Sequence, residues 1–236
     1  MPKTWTVVDF ILVVLGGFLG AGIFAALSLL WGEDELLLVL GLAGQYIGHL
    51  GVLWLLARTK TDRDLGFSIE AGDLRYLFLG LLLQLVLAVL FLPLTEFFFP
   101  DGESVQQVGS ALAGIESTMA RVAAVVIAVV LAPVTEELTF RGVLLKSMGN
   151  RSRKVIIVVT ALVFAAFHLL GLDPAHLLEA AAVVLPQLFI VGAILAWVTL
   201  RTNRLGPAIF IHSGFNLLAA LVLLVPPELL ETAIEG

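Results

Sequence analysis

Three ionisable side chains stand where a hydrophobic core or a lipid phase would be expected. Glu136, Glu137 and Arg141 lie in APVTEELTFRGVLL, residues 132–145, directly after the apolar run Val122 to Leu131. Arg121 precedes that run and Gly149 follows the motif. At helical rise, Glu136 falls ~20 Å from each of them, near the middle of a membrane span. A charge at that depth costs roughly 2.5–3.5 kcal/mol on insertion scales. It is retained only if it pairs, faces a wet cavity or loses its charge. Glu137 and Arg141 are spaced i,i+4 in the order that favours an ion pair. Glu136 points about 100° further round the helix and has no such local partner.

Other polar groups reach similar depths. FAAFHLL places His168 ~21 Å past Lys154, and IHSGFN places His212 ~12 Å past Arg204. Asn216 follows His212 at i+4, on the same helix face. One carboxylate, two imidazoles and an amide on three helices, without a Ser or Cys nucleophile among them, suit the activation of water. Glu136 would act as general base with His168 as its partner, directly or through a metal. His212 and Asn216 could donate hydrogen bonds to an oxyanion. Glu136, His168 and His212 are also the candidate ligands for Zn²⁺. The HExxH spacing of soluble zinc proteases is absent. Glu136 could instead hydrogen-bond a neighbouring helix and merely order the bundle, but four polar groups converging at one depth favour a site.

The remaining polar residues read as lesser features. Gln45 and His49, spaced i,i+4, suggest an interhelical hydrogen bond, with cavity lining as the alternative. Gln84 and Gln187 read as packing polar residues, and His176 as solvated beside Asp173 and Pro174. Trp5, Trp31, Trp54 and Trp197 lie near span ends, as in an aromatic belt.

The elements that must position these groups are membrane helices. Of 236 residues, 60% are hydrophobic and 14% charged, and the mean hydropathy is +1.06. A soluble domain carries about a quarter charged residues. The composition predicts an all-α, polytopic membrane helix bundle. Seven spans are expected, at residues 7–30, 36–57, 75–97, 122–147, 155–171, 183–200 and 205–226. They form a single transmembrane domain over 1–236, with a catalytic core over 120–220. The first span reads as a retained anchor rather than a cleaved signal. Gly16 with Gly20 and Gly44 with Gly48 form small-residue faces for close helix packing.

Charge sets the expected orientation. Of the 13 basic residues, eleven flank alternate loops on one side, Arg141 lies at the end of the fourth span toward that side, and only Arg121 falls on the other side, which is acidic. Positive loops stay in the cytoplasm, so the N-terminus is expected inside and the C-terminus outside. Residues 98–121 are expected to hold an outer-face interfacial helix, with 58–74 as the cytoplasmic counterpart. The net charge of -6, with no basic cluster dense enough to neutralise phosphates, argues against nucleic acid as a partner. Zero Cys excludes disulfides, thiol catalysis and thiolate metal sites.

At the polar residues the sequence resembles the CPBP intramembrane proteases, which include type II CAAX prenyl proteases and bacteriocin self-immunity proteins. Glu136 to Arg141 matches EExxxR, Phe164 to His168 matches FxxxH, and His212 to Asn216 matches HxxxN. Their order and separation fit, as does Gly142 after the arginine. The likeness covers residues 120–220; the first three spans match only in hydrophobicity. It implies a membrane-embedded endopeptidase with a cavity open to the cytoplasm. Glu136 and His168 would activate water, and His212 and Asn216 would stabilise the oxyanion. Glu137, Arg141 and Phe164 would give structural support. Such proteins are called metalloproteases, yet the residues fit both a zinc-bound and a metal-free water; the metal-free version is favoured here. The expected partners are the bilayer and a peptide or protein tail. The Ala-, Val-, Leu- and Gly-rich composition and short loops point to a bacterial plasma membrane, which argues against a prenylated substrate. Two other readings stand beside the enzyme. One is a non-enzymatic scaffold or immunity protein using the same polar cavity. The other is a proton-coupled transporter, disfavoured because the polar groups all fall in the C-terminal half.

Overall fold

A computed structural model describes residues 4–30, 34–100, 115 and 117–222, and among these no strand occurs. The helices are α1 (Val7–Ser28), α2 (Asp34–Ala57), α3 (Arg75–Phe98), α4 (Thr118–Ser147), α5 (Arg153–Phe167), α6 (Leu177–Thr202) and α7 (Gly206–Val222). The first six, with short extensions, are long and apolar enough to cross a membrane; α7 is apolar but shorter over its described length. The all-helical membrane architecture thus follows the expectation. The sixth helix begins earlier than expected and runs through Pro186. The expected outer helix within 98–121 lies almost wholly outside the described residues.

The helices pair as α1 with α2, α3 with α7 and α5 with α6, and α4 runs among them in contact with α1, α2, α5, α6 and α7. Glycine backbones explain two of these pairings. A Cβ on Gly48 would lie 2.1 Å from the Gly16 carbonyl oxygen, and one on Gly20 would lie 2.2 Å from that of Gly44. The two small-residue faces therefore interlock, as small-xxx-small patterns do in lipid. Gly80 of α3 and Gly214 of α7 form a second such crossing. Cβ atoms there would meet the Ile211 and Leu77 carbonyl oxygens at 2.0 and 2.1 Å.

The segment between α2 and α3 laces one end of the bundle together. Leu65 is buried against Gly142 of α4. The Leu205 N–H donates to the Gly66 carbonyl, and Arg204 grips Asp73 through both terminal nitrogens at 2.9 and 3.0 Å. At the same end, Thr6 and Asp9 form a capping box that starts α1, and Lys60 reaches Asp9 at 2.6 Å. This overturns the reading of Trp5 as a belt residue. It is 4% exposed, and its ring lies 5.3 Å from the Lys60 ammonium. Trp54 and Trp197 are exposed as expected, and Trp31 lies outside the described residues.

Candidate functional site

The site is built on α4, which is not a uniform α-helix. Two stretches, Ile127–Leu131 and Leu138–Leu144, are π-helical, and Ala132–Glu137 lies between them. Such wide turns recur at functional positions. The first has an identifiable chemical consequence. The Ala132 N–H donates to the Ile127 carbonyl, five residues back. Next in that pattern is Pro133, which has no N–H to offer Ala128. The Ala128 carbonyl instead accepts from Asn216 Nδ2 of α7 at 2.9 Å. A backbone oxygen freed in α4 thus seats an amide from another helix.

The Glu137–Arg141 pair forms as its spacing predicts, at 2.9 Å, with both side chains fully buried. Arg141 also donates to the Gly192 carbonyl of α6 at 3.1 Å. Its guanidinium carbon lies 4.4 Å from the centre of the Phe164 ring. A Cβ on Gly192 would fall 3.2 Å from that ring, so the glycine lets α6 lie close against α5. Phe164 is 0% exposed and also makes edge contacts with His168 at 4.8 Å and His212 at 5.7 Å between ring centres. It is the apolar block on which the cation and both imidazoles are set.

His212 is held by the same carboxylate. Its Nδ1 lies 3.0 Å from Glu137 Oε1, the oxygen that also receives Arg141. Its Nε2 lies 3.8 Å from Glu136 Oε2. His168 Nδ1 stands 2.9 Å from the Phe164 carbonyl at the end of α5. A carbonyl can only accept, so Nδ1 carries the proton and Nε2 is left to the cavity. Glu136 Oε1 accepts from the Tyr46 hydroxyl at 3.4 Å, while Oε2 is buried without a hydrogen-bond partner.

Glu136, His168, His212 and Asn216, on α4, α7 and the C-terminal end of α5, line one cavity of about 360 Å³. A second, of about 270 Å³, shares Tyr46, Glu136 and His168 with the first and is otherwise largely apolar. Glu136 and His168 therefore stand between two spaces. Several lesser readings change. Gln84 and Gln187 line the first cavity rather than serving packing alone, and Gln45 lines the second. Among the described residues His49 makes no hydrogen bond to another helix, contrary to the expected interhelical bond. Its Nδ1 donates within α2 to the Gln45 carbonyl at 2.9 Å, because i,i+4 spacing on one helix brings a side chain to its own backbone first. His176 is exposed and edge-on to Phe99.

Both imidazoles hold Nδ1 and leave Nε2 open, an arrangement that suits either a metal ligand or a water partner. Among the described residues, however, no three His, Asp or Glu side chains gather closely enough to hold an ion. The donors are of the right kind but, among the described residues, are not arranged as a coordination sphere.

Residues 118–218 match the family described as Type II CAAX prenyl endopeptidase Rce1-like, a span from the start of α4 into α7. No curated protein and no solved structure was found to match the chain. The matched span holds all three motifs and agrees with the likeness read from them.

Proposed function

We propose that the Rce1-like domain at residues 118–218 is the catalytic part of an intramembrane endopeptidase. The match supports a membrane protease of CAAX type. The observation that carries the finer reading is the single cavity lined by Glu136, His168, His212 and Asn216. A water between Glu136 Oε2 and His168 Nε2 would give its proton to Glu136 and attack the peptide carbonyl carbon. The carbonyl π electrons move onto oxygen, and the proton held by Glu136 passes to the amine as the C–N bond breaks.

The oxyanion role asks two things of the other pair. His212 must present an N–H from Nε2 while its Nδ1–H stays on Glu137, which requires the imidazolium. Asn216 uses one amide hydrogen on Ala128 and keeps a second for substrate. Donors pre-aimed in a dry site stabilise developing charge far more than they would in water.

Glu136→Gln is the test. The amide keeps the shape of the carboxylate and removes the base, so cleavage should fall by several orders of magnitude while the fold survives. Membrane peptides from cells carrying either protein would be compared by mass spectrometry. Products present with the wild type and missing with Glu136→Gln support the protease. Identical peptide sets would favour a non-enzymatic scaffold.

A further inference from the structure

The first two helices lie outside the matched span, yet one of their side chains reaches the carboxylate at the centre of the site. We infer that Tyr46 is a positioning residue for Glu136, held in place by His49 seated over Gly17. This inference rests on the protease reading for its kinetic consequences, though not for the contact itself.

A carboxylate acting as base must present one oxygen toward the water and be held by the other. Glu136 has that asymmetry. Tyr46 donates to Oε1 at 3.4 Å, and among the described residues Glu136 has no other hydrogen-bond donor. Oε2 is left facing His212 Nε2. The hydroxyl contact is long, as catalytic hydrogen bonds often are before substrate tightens them. Without it, rotation about the last side-chain bond of Glu136 would be limited only by packing.

Tyr46 is itself fixed. It is 9% exposed and packs in a cluster with Ile127 and Ala132 of α4. Its ring lies 6.3 Å from that of His49, at an angle of 28°. The His49 ring is anchored at Nδ1 by the Gln45 carbonyl and fills the space where a side chain at Gly17 would be. A Cβ there would lie 2.2 Å from His49 Cε1. Gly17 admits His49, His49 backs Tyr46, and Tyr46 hands its hydroxyl to Glu136. This accounts for a buried histidine and a buried tyrosine in α2 that the hydrolytic steps do not use.

The chain has two tyrosines, Tyr46 and Tyr76, which allows a direct measurement. With 3-fluorotyrosine throughout, ¹⁹F NMR should give two resonances, assigned by Tyr46→Phe and Tyr76→Phe. Glu136→Gln should move the Tyr46 resonance and leave that of Tyr76. An unmoved Tyr46 resonance would overturn the contact, whatever the activity. In kinetics on a peptide that the wild type cleaves, Tyr46→Phe should lower kcat by about 10- to 100-fold, the scale of a slightly misplaced catalytic group. KM and thermal midpoint should stay unchanged. Gly17→Ala should lower kcat in the same direction, and the double variant should be no worse than Tyr46→Phe. Full turnover in Tyr46→Phe, with Glu136→Gln inactive, would sink the role of Tyr46 and leave the protease intact. Additive losses in the double variant would break the link through His49. Cleavage that survives Glu136→Gln would instead remove Glu136, and with it the base that Tyr46 is inferred to position, from the mechanism, while the resonance shift still reports the contact.

Discussion

Oε1 of Glu137 receives both His212 Nδ1, at 3.0 Å, and Arg141, at 2.9 Å. One buried oxygen therefore joins two of the three motifs. Glu137 is not a spare copy of Glu136. Its other oxygen has no hydrogen-bond partner and it does not line the first cavity, so its work is to hold α7 and the Arg141 cation together.

Arg141→Ala should therefore be worse for the fold than for the chemistry alone. It takes the guanidinium from Glu137 in low dielectric, leaving only His212 on that carboxylate, and removes the donor to Gly192. Breaking a buried pair in this way costs about 3–5 kcal/mol. Accumulation in the membrane and the thermal midpoint in detergent should both drop, whereas Glu136→Gln should leave them unchanged. Arg141→Lys should recover little, because an ammonium cannot donate to Glu137 and Gly192 from one planar fork. Normal yield and stability of Arg141→Ala would show that the pair is not made.

His212→Ala and chelation address the metal together. With water held by Glu136 and His168, a chelator should leave turnover of the purified protein nearly unchanged. His212→Ala should slow it by roughly 10²–10³, the scale of one lost oxyanion donor. Elemental analysis of the purified protein would be run alongside. One equivalent of zinc, with activity lost on its removal and restored on its return, would reassign His212 as a ligand.

Gly80→Ala tests how α7 is seated. The new Cβ would lie 2.0 Å from the Ile211 carbonyl oxygen and 2.7 Å from the Phe215 nitrogen, both backbone atoms that cannot turn aside. Overpacking of this kind costs about 1–3 kcal/mol. It should also carry His212 and Asn216 out of register, so kcat should fall along with the thermal midpoint. Gly51→Ala, where nothing lies within 4 Å of a Cβ, is the matched control and should behave as wild type. Equal behaviour of the two variants would mean that α3 and α7 do not cross this closely.

Orientation is tested at the ends. With eleven of the 13 basic residues in the loops of one face, a reporter fused after Gly236 should be active only outside the cytoplasm. A cytoplasmic signal there would invert the arrangement or require an even number of spans.

Much of the site was legible along the chain because its determinants are local. Twenty or so apolar residues cannot avoid spanning a bilayer, and a rise of 1.5 Å per residue sets the depth of Glu136, His168 and His212. Spacing at i,i+4 predicts the Glu137–Arg141 pair, which the helix forms. The glycine pairs likewise announce a close crossing of α1 and α2.

What periodicity cannot supply is the rotation and partner of each helix. Tyr46 is an ordinary aromatic in an apolar run until α2 turns it toward Glu136. The oxygen that seats Asn216 is a backbone atom of Ala128, and no side-chain motif records it. Gln84 and Gln187 look like packing residues until α3 and α6 bring them to one cavity. The His212–Glu137 bond spans 75 residues of chain. Each of these depends on how closely backbones approach and how far helices roll. In lipid those are set by packing between surfaces that one sequence shows only one at a time.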